Sequence, residues 1–239
     1  MMKQIRFPLD WHRLLTATAV ALAATAASAQ IGPACGSLEN NYGPYDYRGH
    51  EGSKHIVESN HFDSGVENLT RRMTGPFGGD IAYTLRAFPN HYRALVTLER
   101  LAEKEKADPP DSAKYKVECY YERALRFVPD DHIVRLLYAS FLIRRQRLDE
   151  AGQHLQYVAR TTQDNPFAQF NVGMLYADLK EYDKALVQAH RVIALGVDRR
   201  ELKDRLVAAG RWVEPAAADA AASSPAPASA PASEPAAAR

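Results

Sequence analysis

The sequence predicts an all-α protein: an α-solenoid of helix pairs, with an irregular N-terminal arm and a C-terminal tail that cannot build a core. Three observations lead there. Apolar residues recur three and four apart from about Gly79 to Val213, the spacing of amphipathic helices. Within that span an arrangement of small residues, polar breaks and prolines returns. Outside it, Gln30–Gly78 is loop-like, and 214–239 is almost entirely alanine, proline and serine.

Composition bounds the function. Of 239 residues, 46% are hydrophobic and 25% charged, which suits a globular chain rather than a multi-span membrane protein. Thirty Lys and Arg against 29 Asp and Glu exclude a strongly basic nucleic-acid protein. Two cysteines are too few for zinc fingers, iron–sulfur clusters or Cys-x-x-Cys redox chemistry.

The first 29 residues read as a secretory signal. Lys3, Arg6 and Arg13 start it, Leu14 to Ala26 is uncharged and mostly apolar, and Ala27-Ser28-Ala29 gives the small-x-small cleavage pattern. The apolar run of 13 residues is shorter than the roughly 20 a spanning helix needs, so no stable membrane span is expected after cleavage before Gln30. Gly32-Pro33-Ala34 before Cys35 lacks a lipobox. The mature chain then carries 27 basic (30 − 3) and 28 acidic (29 − 1) residues. The expected destination is the periplasm, with full secretion as the other reading. In an oxidising compartment Cys35 and Cys119, 84 residues apart, are expected to pair. Two buried free thiols are the alternative.

Pro215, Pro225, Pro227, Pro231 and Pro235 interrupt any helix the tail's alanines favour, so 214–239 is expected to be disordered. In the arm, short helices are expected near Lys54–His61 and Ser64–Arg71, beyond the tyrosine-rich stretch Asn41–Arg48.

The repeat is clearest from Phe167 to Leu195, where a polar break at Asp178–Asp183 separates two helical patterns. Gly173 lies twelve residues before Ala185, and Ala139 twelve before Ala151, as close helix crossings require. Gln146-Arg-Leu-Asp-Glu-Ala151 matches Lys180-Glu-Tyr-Asp-Lys-Ala185, and Arg123–Asp130 echoes Tyr83–Asn90. Pro89, Pro129 and Pro166 are spaced by 40 and 37. These units resemble tetratricopeptide repeats, with a 34-residue period, small residues at the crossing and a closing proline. Three units and a half unit around Val66–Pro89 are expected, with an insertion at Ala107–Ser112. Val117 and Arg135 depart from the pattern, the first replacing an alanine and the second a large apolar residue. A final helix within Asp198–Trp212 is expected to cap the array through Leu202, Leu206, Val207 and Trp212.

The resemblance implies a concave groove lined by first helices, binding a peptide or an amphipathic helix. Its groove spacing falls on Arg93, Val96 and Arg100, then Ile133, Leu136, Ile143 and Arg144, then Phe167, Phe170 and Met174. That surface is apolar with an arginine rim. The carboxylate clamp of chaperone-binding members is missing, because Val96, Arg100 and Leu137 stand where several of its residues belong. The alternative is that these residues pack against the protein's own arm or against each other, since apolar residues at helical spacing usually form core.

Two other function classes have weaker sequence support. His50, His55 and His61, with His91 farther on, suggest zinc or copper. No pair has the His-x-x-x-His spacing of one helical face, so no metal or other cofactor is expected. An enzyme is not expected either: nucleophile-elbow, phosphate-loop and dinucleotide motifs are lacking. The Glu58/Asp63 and Glu99/Glu103 pairs read as solvated charge. Arg144-Arg145-Gln146-Arg147 complements a helix C-terminus rather than nucleic acid. Asn68-Leu69-Thr70 is a chance glycosylation sequon.

Overall fold

The computed structural model describes residues 35–215. The signal segment 1–29 and the tail from Ala216 onward lie outside the described residues. Among the described residues there are ten helices and no strand: α1 (Glu51–His61), α2 (Ser64–Glu67), α3 (Phe77–Ala87), α4 (Tyr92–Glu105), α5 (Val117–Phe127), α6 (His132–Arg144), α7 (Leu148–Thr161), α8 (Pro166–Asp178), α9 (Tyr182–Ala194) and α10 (Arg200–Ala208). The two expected arm helices are present, the second shorter than the sequence suggested.

Helices α6/α7 and α8/α9 form the two most extensive pairs, while α4, α6, α8 and α10 also touch in series as one layer. That is an α-solenoid. Its core is continuous from Phe62 and Val66 through Leu98, Tyr121, Leu142 and Leu155 to Leu202 and Leu206. Helix α10 closes the last pair with Leu202, Leu206 and the partly buried Trp212. Val207, expected to join that cover, is exposed instead: one residue on from Leu206 it is turned about 100° around α10, off the face that Leu202 and Leu206 bury.

Short polar residues start the first helix of each pair. His91 Nδ1 accepts from the Ala94 amide, Asp131 from Ile133 and Val134, and Asn165 from Ala168, each satisfying orphan amides of the first turn. Cap-to-cap spacings are 40 (131 − 91) and 34 (165 − 131). The proline spacing of 37 was therefore out of register. Pro129 lies before its cap, whereas Pro166 occupies the first helical turn just after Asn165, where its missing N–H costs nothing. The longer first spacing is taken up by the connection between α4 and α5, residues 106–116, against three residues at 145–147 and 179–181.

The same register explains how the first pair differs. Eight residues after the caps stand Glu99, Ala139 and Gly173. Small side chains let α6/α7 and α8/α9 close up. Glu99 and Val117 stand at the corresponding positions of α4 and α5, which meet less extensively. Arg135, the other departure, lays its guanidinium on the Tyr157 ring at 3.8 Å and donates to the Pro129 carbonyl at 2.7 Å.

Cys35 and Cys119 form a disulfide, tying the arm to α5. Buried Arg123 adds to the tie, its Nη1 donating to the carbonyls of Cys35 (2.9 Å) and Ser37 (2.6 Å).

Candidate functional site

The layer of first helices carries three of the exposed large apolar side chains; others, such as Leu148, Val187 and Ile193, lie on α7 and α9. Val96 on α4 and Ile133 on α6 are 36% and 38% exposed, and Phe167 on α8 is 57% exposed. Between α4 and α6 lies an open cleft of about 260 Å3, walled by Arg93, Val96, Arg100, Ile133 and Leu137. Glu67 of α2 closes one side.

Four of the sequence-derived groove residues, Arg93, Val96, Arg100 and Ile133, therefore converge. Leu136 does not: at 8% exposure it belongs to the core, and its neighbour Leu137 faces the cleft. On α6 the cleft is met by Ile133 and, four residues on, Leu137, whereas the transferred spacing stepped three residues to Leu136. Ile143, Phe170 and Met174 pack partly buried against the core, away from this cleft. Arg199, N-terminal to α10, lies over the rings of Phe167 at 5.6 Å and Phe170 at 5.3 Å.

The arginines of the rim differ in commitment. Arg93 bridges Glu58 at 2.7 Å and Glu67 at 2.8 Å. Arg144 pairs with Glu99, which also accepts from the buried Tyr121 hydroxyl. Burial pushes that carboxyl upward, against the opposing pull of Tyr121 and Arg144; Glu99 is thus an internal polar link rather than solvated charge. Arg100 makes one long hydrogen bond, to the Glu67 carbonyl at 3.4 Å, and no carboxylate among the described residues pairs with it.

The tyrosine-rich arm stretch does not enter the cleft. Tyr45 N–H donates to the Ala87 carbonyl at 2.8 Å and Tyr47 N–H to Asn90 Oδ1 at 2.9 Å, so this stretch docks on the α3–α4 corner. Buried Asn90 completes the joint by donating to Asp46 (2.8 Å) and Asp131 (2.9 Å). Beside it, Glu58 Oε1 accepts from Tyr47 (3.1 Å), His91 Nε2 (3.0 Å) and Arg93 (2.7 Å). Since His91 Nδ1 caps α4 as an acceptor, the ring is neutral with its proton on Nε2. No sequence motif marks this network; its members come from four segments.

That network has a pH signature. The His91 hydrogen bond, with Arg93, holds the Glu58 carboxyl down at about 2, and desolvation lowers His91 from its ordinary value. Both folded values lie below the unfolded ones, so their stabilisation is complete above pH 6.5. It falls first as His91 is drawn toward protonation, then from about 4.5 toward 2 through Glu58. Allowing for the partial exposure of Glu58, its share is about 2 kcal/mol. Urea midpoints measured from pH 7 to pH 3 are expected to drop steeply for the natural chain. Glu58→Gln is expected to be less stable at pH 7 with a flatter acid limb; parallel curves would remove Glu58 from the linkage.

The histidine cluster does not form. Among the described residues the one group of three potential ligands within 4.8 Å is Cys35, Cys119 and Glu122, whose sulfurs are joined in the disulfide. His50 rests against Tyr45, His55 is exposed and His61 faces Asp80.

No protein-family model matches the chain, and no curated protein or solved structure is found to be similar. No described helix is long and apolar enough to cross a membrane.

Proposed function

We propose that this chain is an exported, periplasmic scaffold of the tetratricopeptide type that captures a peptide or helix between α4 and α6. One observation carries the reading: exposed Val96 and Ile133 face a cleft whose Arg100 has no carboxylate partner. An apolar floor beside a guanidinium that lacks a carboxylate partner suits a segment with an aliphatic or aromatic side chain and a nearby Asp or Glu. The helix pairs in series and the 34-residue cap spacing support the repeat assignment. The disulfide accords with an oxidising compartment. The reading assigns no catalytic step and no cofactor.

The test is site-specific photocrosslinking from Ile133 in cells, in otherwise natural chain and in Arg100→Glu. A discrete adduct is expected, weakened at least tenfold by the charge reversal, a loss of about 1.4 kcal/mol or more. An adduct of equal yield in both chains would sink the acidic-peptide reading. Because Arg100 is exposed and lacks a charged partner, its reversal is expected to leave thermal stability within about 0.5 kcal/mol.

A further inference from the structure

A second cleft shares no lining residue with the one between α4 and α6. It encloses about 290 Å3 between α1, α3 and the Tyr42 turn. Its walls are the rings of Tyr42 and Tyr83 with Val57 and Ile56, and its polar groups are Asn60, His61 and Thr74. Ile56 is 54% exposed at the cleft, an apolar side chain with nothing yet to cover it.

The polar groups are organised from beneath. Asp80 is buried and accepts from the Thr74 hydroxyl, the Thr74 amide at 3.2 Å and the Met73 amide at 3.4 Å. Desolvation raises its carboxyl, but these bonds and His61 outweigh it, and the net shift is downward. The carboxylate faces His61 Nδ1 at 3.1 Å; with Nδ1 donating to it, Nε2 is the ring nitrogen left for a ligand. Tyr83 backs the imidazole at 3.9 Å between centroids, fixing its plane. The Asn60 amide nitrogen is committed to the Ile56 carbonyl at 2.8 Å, leaving Asn60 Oδ1 as an acceptor. Neither the Tyr42 nor the Tyr83 hydroxyl bonds any described residue.

The cleft thus combines aromatic faces with acceptors, His61 Nε2 and Asn60 Oδ1, and two uncommitted hydroxyls. Its complement is a small ring with one apolar C–H face and a rim of hydroxyl donors. We propose that this cleft binds a single sugar ring of a glycan, stacked against Tyr42 with hydroxyls donating to His61 and Asn60; the Tyr83 ring is already covered by His61 and Arg86. The volume, at the lower end for ligand sites, admits one ring rather than an oligosaccharide. Affinity for one such ring is expected in the roughly millimolar range.

Saturation-transfer NMR on the full chain tests this, with methyl β-glucopyranoside, N-acetylglucosamine and p-cresol as probes. Transfer to ring protons of at least one sugar is expected, reduced at least tenfold in His61→Leu and in Asn60→Leu. Asn60 is exposed, so its variant separates lost binding from lost folding. Binding of p-cresol alone would make the cleft a phenol pocket and overturn the sugar assignment. Absence of transfer to either sugar, or transfer unchanged in both variants, would overturn it as well.

Discussion

Replacing Cys35 and Cys119 together by serine is expected to lower stability by about 3–4 kcal/mol while leaving the arm seated. Closing a loop across 84 residues is worth about 4–5 kcal/mol in the ideal chain-entropy account, and measured values fall below the ideal. The arm stays because a second tie is independent of the sulfurs. Arg123 is buried on α5 and holds the Cys35 and Ser37 carbonyls, while Arg126 donates to that of Gly36. Tyr115 lies beneath the Arg123 guanidinium at 5.1 Å. Arg123→Met removes the donor and leaves those carbonyls unpartnered, at a cost of about 2–3 kcal/mol. With the disulfide intact that loss is local. With both ties removed, residues 35–47 lose their anchor on α5, and the two effects are expected to exceed their sum. Urea unfolding gives the energies; hydrogen exchange at Gly36–Asn40, ahead of the separate Tyr45 and Tyr47 ties to the α3–α4 corner, gives the location. If the double-serine chain already exchanges freely there, Arg123 contributes no independent tie.

The sequence carried the architecture because solenoid helices are written in local code. Apolar spacing, the Gly173/Ala185 and Ala139/Ala151 crossings, and polar caps each depend on residues within one or two turns. What it carried less well depends on register and on distance. Pro166 looked equivalent to Pro129, yet three residues separate their places relative to the cap. Leu136 and Leu137 are both apolar neighbours, and only the angle of α6 against α4 decides that Leu137 meets the cleft. Glu99 looked solvated because it sits beside other charges on a helix surface. Its burial follows from the bulkier first pair, where Tyr121 and Arg144 arrive from two other helices. Asn90 and Glu58 were the least legible. Their partners lie 43 and 35 residues away, and nothing in local spacing announces such pairings.

Gly173→Leu is expected to undo the far end of the array. Gly173 sits where α8 crosses α9 and α10. A Cβ there would lie 2.4 Å from Leu202 Cδ2 and 3.1 Å from Gln188 Cβ. The first neighbour is the tip of a movable side chain, so alanine is tolerable: the ~1 kcal/mol of helix propensity it adds offsets the repacking it forces. Leucine has nowhere to go. Its branch must displace Leu202, the residue that seats α10, as well as Gln188 of α9. A cost of roughly 3 kcal/mol or more follows from overpacking at a site walled on two sides. That corresponds to a fall of about 6–12 °C in Tm for a chain of this size. Because each pair of a solenoid touches only its neighbours, the damage is expected to stay local. Amides of α9 and α10 would exchange quickly, while those of α4 to α6 and the cleft at Val96 and Ile133 would keep their protection. Uniform loss of protection along the chain would instead mean that the array folds as one cooperative unit. Equal stability of the leucine and alanine variants would mean that Gly173 is not a close helix crossing.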